Sequence, residues 1–449
     1  MPQVIQAQRS GQPTDPEKTT SGKTTARGGT ASKFLLLALL LVIFAFNNVD
    51  RLALGLLVQD LKHSLNLTDT QLGFLSGIAF ALFYSVMGLP LSRWADRGDR
   101  VRIIAITTAL WSVAVALCGA AASYLQLMVI RIGVAVGEAG CVPTSQSLIA
   151  DYFSRAERPR ALAIYGLGMP LSMVIAYLSA GWVDQMYGWR ATFVILGLPG
   201  FALSAMAWFL LREPRRQNCA STAANSAALE TLSLREIGVS LARNNAFRHL
   251  LLAYSVASFF GGGIQQWKPA FFIRSFGFQT GTLGTWLALI YGVCGLVGTY
   301  GGGALASRYA ADNERLQMKA MACGYCAFAL VSVGMYLSTS APLSMSLLAL
   351  ATLGGYAIYG PMFATIHALV PARMRAVAIA LIFLFANLVG QGLGPLAVGA
   401  LSDALHPYFR EESLRYALLA SSPGYLWTAC HLWLAQKSVR RDLSFAMQA

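Results

Sequence analysis

The stretch FLLLALLLVIFAFNNVDRLALGLLVQDL, Phe34 to Leu61, decides the architecture. At 1.5 Å per residue it is long enough to cross a hydrocarbon core of about 30 Å, so it reads as a spanning helix. Yet it carries Asp50 and Arg51 side by side where lipid is expected. Charges at that depth must face protein or an aqueous cavity, because lipid offers them nothing.

Composition extends the reading to the whole chain. Hydrophobic residues make up 56% and charged residues 12% of the 449, with mean hydropathy +0.54. That lies well outside the range of a soluble globule. Twelve apolar runs predict twelve spans, at 34 to 59, 71 to 93, 102 to 122, 126 to 150, 161 to 186, 190 to 211, 247 to 270, 281 to 306, 317 to 338, 343 to 369, 376 to 403 and 414 to 436. The expected class is an all-α membrane protein.

A net charge of +14 raises the question of nucleic acid, and the placement of the 34 basic residues answers it. With both ends on one side, 26 fall in the tails and loops of that side, 6 in the opposite loops, and Arg51 and Arg131 inside spans. Short cytoplasmic loops collect Lys and Arg, so both termini are expected in the cytoplasm, with no nucleic-acid partner. Residues 1–33 lack the apolar surface to fold and read as a disordered tail; 437–449 form the other tail. The SGKTT at Ser21 to Thr25 is no phosphate loop, since Glu17 stands where the leading glycine belongs. Cys323 and Cys326 form a C-x-x-C within the ninth span and read as small packing residues. The glycines of GQGLGP, Gly390 to Pro395, read as sites of close helix approach or bending. Neither cofactor nor metal is called for.

The longest connection, 212–246, divides the spans into six and six, giving bundles at 34–211 and 247–436. SRWADRGDR, Ser92 to Arg100, ends the second span, and GALASRYAA, Gly303 to Ala311, ends the eighth at the same relative place. Two six-helix halves with this repeated loop resemble the major facilitator superfamily, whose fold is built from such repeats. Asp96, Arg97 and Arg100 match its loop signature, while Ser92 and Asp99 replace the usual glycines and Ser307 replaces the acid of the second copy. The resemblance therefore implies a single cytoplasmic gate motif at Asp96, Arg97 and Arg100. RIGVAVGEAG (Arg131 to Gly140), SLIADYF, NNVDRLALG and GWRATF are similar to the spinster branch, in a bacterial homologue. That likeness implies a proton-linked or facilitative carrier of amphiphiles such as lysolipids.

Helix rise puts Asp50 and Arg51 about 12 to 14 Å below the outer end of the first span, Arg131 about 8 Å and Glu138 about 18 Å below that of the fourth. Arg131 and Glu138 are seven apart and share one helix face, and GVAVG, Gly133 to Gly137, lets a neighbouring helix approach. The quartet predicts two opposite-charge pairs, with Arg131 the partner of Asp50. Glu138 and Asp50 are the expected proton carriers, Arg51 and Arg131 the expected holders of a substrate anion. The spans of the second half contain no acid before Asp403, read at an inner end, and offer softer groups. Of these Trp267, Tyr356, Tyr359 and Asn387, with Asn47 of the first half, complete the expected substrate site.

The sequence thus points to a secondary transporter, not an enzyme. It would move an amphiphilic, anionic or lipid-like substrate by alternating access, coupled to protons, as a monomer among membrane lipids. A carrier of small organic anions and a drug-proton antiporter share the fold and stay open. A lipid-modifying enzyme would need clustered catalytic groups, whereas His63, His249, His367, His406 and His431 are scattered. Nothing resembles the selectivity filter of a channel.

Overall fold

The computed structural model describes residues 30–154, 156–214, 234–310, 313–370 and 374–448. The SGKTT motif, most of the N-terminal tail and residues 215–233 of the central connection lie outside them. Every described element is helical.

Among the described residues, nine helical stretches are long and apolar enough to cross a membrane. Two of these fold back on themselves and cross twice. Gly188 breaks Gly168–Leu210 with φ 79°, a left-handed backbone that glycine adopts without Cβ strain. The stretch Val377–Val439 reverses at the short helix Arg410–Glu412. Together with the more polar helix Asn245–Phe276, the crossings number twelve.

The first span is one unbroken helix, Thr30–Leu65. The second begins at Asp69, capped by Thr68 and Gln71 in a reciprocal capping box, and bends at Gly77 before continuing as Ile78–Arg97. The fourth is Tyr124–Glu138 followed by Cys141–Tyr152, so the helix is interrupted directly after Glu138. In the second half, the eighth and eleventh spans each contain a π-helical segment, Ile290–Cys294 and Ala386–Leu393. The GQGLGP glycines fall in and beside the latter. Such bulges widen the turn and turn side chains out of register, and they concentrate at functional sites.

The two six-helix halves meet along three seams near the face opposite the termini. The fifth span lies against the eighth: Gln185 accepts from the Gly281 amide at 3.0 Å, and Trp182 donates to Thr285 at 3.1 Å. A Cβ on Gly181 would come within 2.6 Å of the Thr280 carbonyl oxygen, so only glycine permits this approach. The first span meets the seventh where Gly55 faces the Gln266 backbone.

The third seam is ionic. The Asp69 carboxylate accepts from Lys62 (2.8 Å), from both Arg274 terminal nitrogens (2.7 Å each) and from Ser402 (2.7 Å). Asp403 of the eleventh span accepts from the Asp69 and Thr70 amides at 3.0 and 2.7 Å, capping the second span from the other half. Asp403 is therefore at the far face, not at an inner end. An odd-numbered span leaves the terminal face and ends at the opposite one.

These seams close the far face. Asp69→Asn removes the charge that holds Arg274 and Lys62, and breaking a buried pair costs about 3–5 kcal/mol. Spin labels at the exposed positions Ser64 and Glu411 should then report a second, longer distance between the halves. An unchanged distance distribution would show that the glycine seams alone hold the face shut.

At the terminal face the first half is braced internally. Arg100, fully buried, binds Glu213 at 2.5 Å and Asp151 at 2.7 Å, and it also donates to the Ser147 carbonyl. Cys323 and Cys326 are exposed on the outside of the ninth span, so they are not packing residues.

Candidate functional site: a buried charge quartet

Trp111 sets the geometry. A Cβ on Gly137 would stand 2.8 Å from the Trp111 backbone nitrogen, so glycine lets the third and fourth spans close on each other beside Glu138. The fourth span then presents Arg131 and Glu138 to the first span, two turns apart on one face. Arg131 pairs with Asp50. Arg51 pairs with Glu138, donating through Nε at 2.8 Å and also through a terminal nitrogen.

The two pairs differ in their access to solvent. The Arg131 and Asp50 side chains are 1% and 3% exposed, and Glu138 is 0% exposed, but Arg51 is 30% exposed. Arg51 is thus the member of the quartet that a solute could reach while the far face is shut. Its guanidinium lies 4.1 Å from the Phe80 ring centre and 4.7 Å from that of Tyr84. Arg131 also approaches Phe80, at 5.3 Å. Cation–π contact with the second span holds both arginines in place without neutralising them.

Several polar atoms here have spare capacity. Asp50 Oδ1, Glu138 Oε1, Arg131 Nε and the Asn47 amide nitrogen are buried without a hydrogen-bond partner. Such atoms are costly in a static core and are what a site that exchanges partners requires.

The remaining expected residues scatter. Tyr356 crosses between the halves, its hydroxyl 3.0 Å from Met173 Sδ. Asn387 is half-buried within the π-helical segment. Trp267 is fully buried with its one N–H given to the Pro395 carbonyl at 2.9 Å, so it packs the second half and is not brought to the quartet. The side chains of Tyr359 and Asp96 lie outside the described residues, Arg97 is exposed, and Arg100 serves the brace described above.

Two features escape sequence reasoning. The span read as 247 to 270 leaves Lys268 two residues from its outer end, but Lys268 is 7% exposed inside a helix that runs on to Phe276. His249 and His431, 182 residues apart, meet Nδ1 to Nδ1 at 3.1 Å, and Trp427 donates to the other nitrogen of His431. Among the described residues no group of three potential ligands could hold a metal.

The comparisons agree with this architecture. An MFS-type efflux pump of Mycolicibacterium smegmatis is 30% identical over 93% of this chain and 96% of its own length. A probable L-galactonate transporter of Escherichia coli is 25% identical over 83% of this chain and 84% of its own. The crystal structure of a bacterial homologue of the human lysosomal transporter Spinster, inward-facing and unoccupied, superposes with a TM-score of 0.83 at 26% identity, covering 92% of this chain and 99% of that one. The Major Facilitator Superfamily profile matches residues 35–395, and the chain belongs to that family of transporters.

Proposed function

We propose that this secondary transporter moves an anionic, amphiphilic substrate by alternating access, with proton binding at Glu138 and Asp50 driving the cycle. The observation that carries the reading is the inequality within the quartet: an Arg51 that is 30% exposed tied to a fully buried Glu138. A proton on Glu138 cancels its charge and weakens its hold on Arg51, whose guanidinium then becomes free for a substrate anion. The substrate anion and the Glu138 carboxylate thus compete for one arginine, and a proton on Glu138 tips it toward the substrate. The resemblance of its motifs to the spinster branch implies a lipid-like substrate, and the aromatic rings of Phe80 and Tyr84 beside Arg51 suit one. The L-galactonate relative supports a smaller anion at the same cation. The terminal face, where the basic loops gather, is the cytoplasmic one in this reading.

The test is native mass spectrometry of small molecules retained by the purified protein, compared with Arg51→Ala. Anionic amphiphiles should co-purify with the unaltered protein. Their occupancy should fall about 10- to 100-fold in the variant, the worth of a charge-assisted hydrogen bond of about 1.5–3 kcal/mol. Equal retention of the same species would remove Arg51 from the site.

A further inference from the structure

Lys268 is a cation inside the second half, in the helix Asn245–Phe276, 7% exposed. Among the described residues it has no carboxylate partner. Its ammonium makes one hydrogen bond, to Gln265 Oε1 at 3.3 Å, and lies 5.9 Å from the Tyr291 ring centre. An ammonium has three protons to donate, so this is an under-used donor in a place where desolvation is expensive.

The surroundings place it where the halves meet. Gln265 accepts from the Tyr291 hydroxyl of the eighth span at 3.0 Å and donates to the Tyr177 hydroxyl of the fifth span at 3.2 Å. The rings of Tyr177 and Tyr291 stack at 5.5 Å. This knot of three helices joins the two halves. Next along the chain, the Gln266 amide nitrogen is also buried without a partner. The Gln266 amide faces Gly55 of the first span, whereas Lys268 stands on the Gln265 face, three residues on from Gln265, and keeps donors to spare for an anion.

The level relative to Arg51 follows from the seam. Gly55 of the first span faces Gln266 of the seventh, and both helices run in the same direction. Arg51 is four residues before Gly55, and Lys268 is two after Gln266. The two cations are thus offset by about six residues, or about 9 Å, along the membrane normal. They stand in opposite halves.

We propose that Lys268 forms a second anion subsite, so that the transporter takes substrates with two separated anionic groups, one on Arg51 and the other on Lys268. The proposal rests on the reading of Arg51 given above and extends it. A substrate held at both ends ties one half to the other, so its second charge reports whether the halves are closed around it. A single anionic group gains only one of the two contacts.

The experiment uses the full chain in nanodiscs and measures affinity by isothermal titration for two pairs of probes. The small pair is D-glucarate, with two carboxylates, against D-gluconate, with one. The amphiphilic pair is lysophosphatidylserine, with a net negative head, against zwitterionic lysophosphatidylcholine. The expected result is at least about tenfold tighter binding of the more anionic member of one pair, that pair identifying the source of the substrate. Lys268→Gln should erase this preference and Lys268→Arg should keep it. Equal affinities, or no binding, for both members of both pairs overturns the proposal, and so does a preference that survives Lys268→Gln. Arg51→Ala separates the two readings. If it weakens all binding while Lys268→Gln changes nothing, the Arg51 site stands and the second subsite fails. If it changes nothing, the Arg51 reading fails, and the two-point substrate with it.

Discussion

Glu138→Gln is expected to yield a protein that still exchanges substrate across a membrane but no longer concentrates it on a proton gradient. The substitution keeps shape and keeps an oxygen to accept from Arg51, which now donates at 2.8 Å. What it removes is the ability to gain and lose a proton. Glu138 has 0% exposure, and the helix is interrupted directly after it, so its environment can change when the halves rock. One pH unit is worth about 1.4 kcal/mol per proton, so a one-unit gradient coupled through one proton sustains about tenfold accumulation. The variant should show an accumulation ratio of about one, with exchange of labelled for unlabelled substrate still measurable. A tenfold ratio retained by Glu138→Gln would show that the proton binds elsewhere, with Asp50 the next group to alter.

Much of this site is legible in the sequence because membrane constraints are severe. Length and apolarity fix the spans, helix rise fixes depth, and a seven-residue spacing puts Arg131 and Glu138 on one face. What escapes has physical causes. Pro269 forbids the hydrogen bond to the fourth residue before it, and a span read as ending at 270 leaves Lys268 within its last turn, where a lysine would be expected to reach the membrane surface. The helix instead continues to Phe276 and ends on Gly277 in a left-handed conformation, which returns Lys268 to the interior. The π-helical segments in the eighth and eleventh spans have no distinctive spacing, because one added residue in a turn leaves an apolar run apolar. The contact between His249 and His431 depends on packing of the seventh span against the twelfth, which no local pattern reveals. Asp69 reads from sequence as an ordinary helix-start residue. Its role as the hub of the far-face seam appears only when Arg274 and Ser402 arrive from the other half.

Arg131→Met should separate a bracing pair from a working one. Asp50 and Arg131 are 3% and 1% exposed, Arg131 holds Asp50 Oδ2 and Asp50 Oδ1 has no hydrogen-bond partner, so removing the arginine leaves a buried carboxylate without a hydrogen-bonded countercharge. That costs about 3–5 kcal/mol when it occurs in a protein interior. Arg51→Met removes a cation that is 30% exposed, so water can reach the vacated side of Glu138 and supply the proton that neutralises it, whereas the pocket of Asp50 and Arg131 is closed to that access. Thermal unfolding in one detergent should therefore show a large drop in midpoint for Arg131→Met and a small one for Arg51→Met. Substrate affinity should show the reverse order. The double variant Asp50→Asn with Arg131→Met should recover most of the lost stability, because neutralising both members leaves no unpaired charge in the core. If the double variant is as unstable as Arg131→Met alone, the loss comes from the packing of Arg131 against Phe80 and not from its charge. Equal drops for Arg51→Met and Arg131→Met would mean that the difference in exposure does not divide the quartet, and both pairs would then serve as braces.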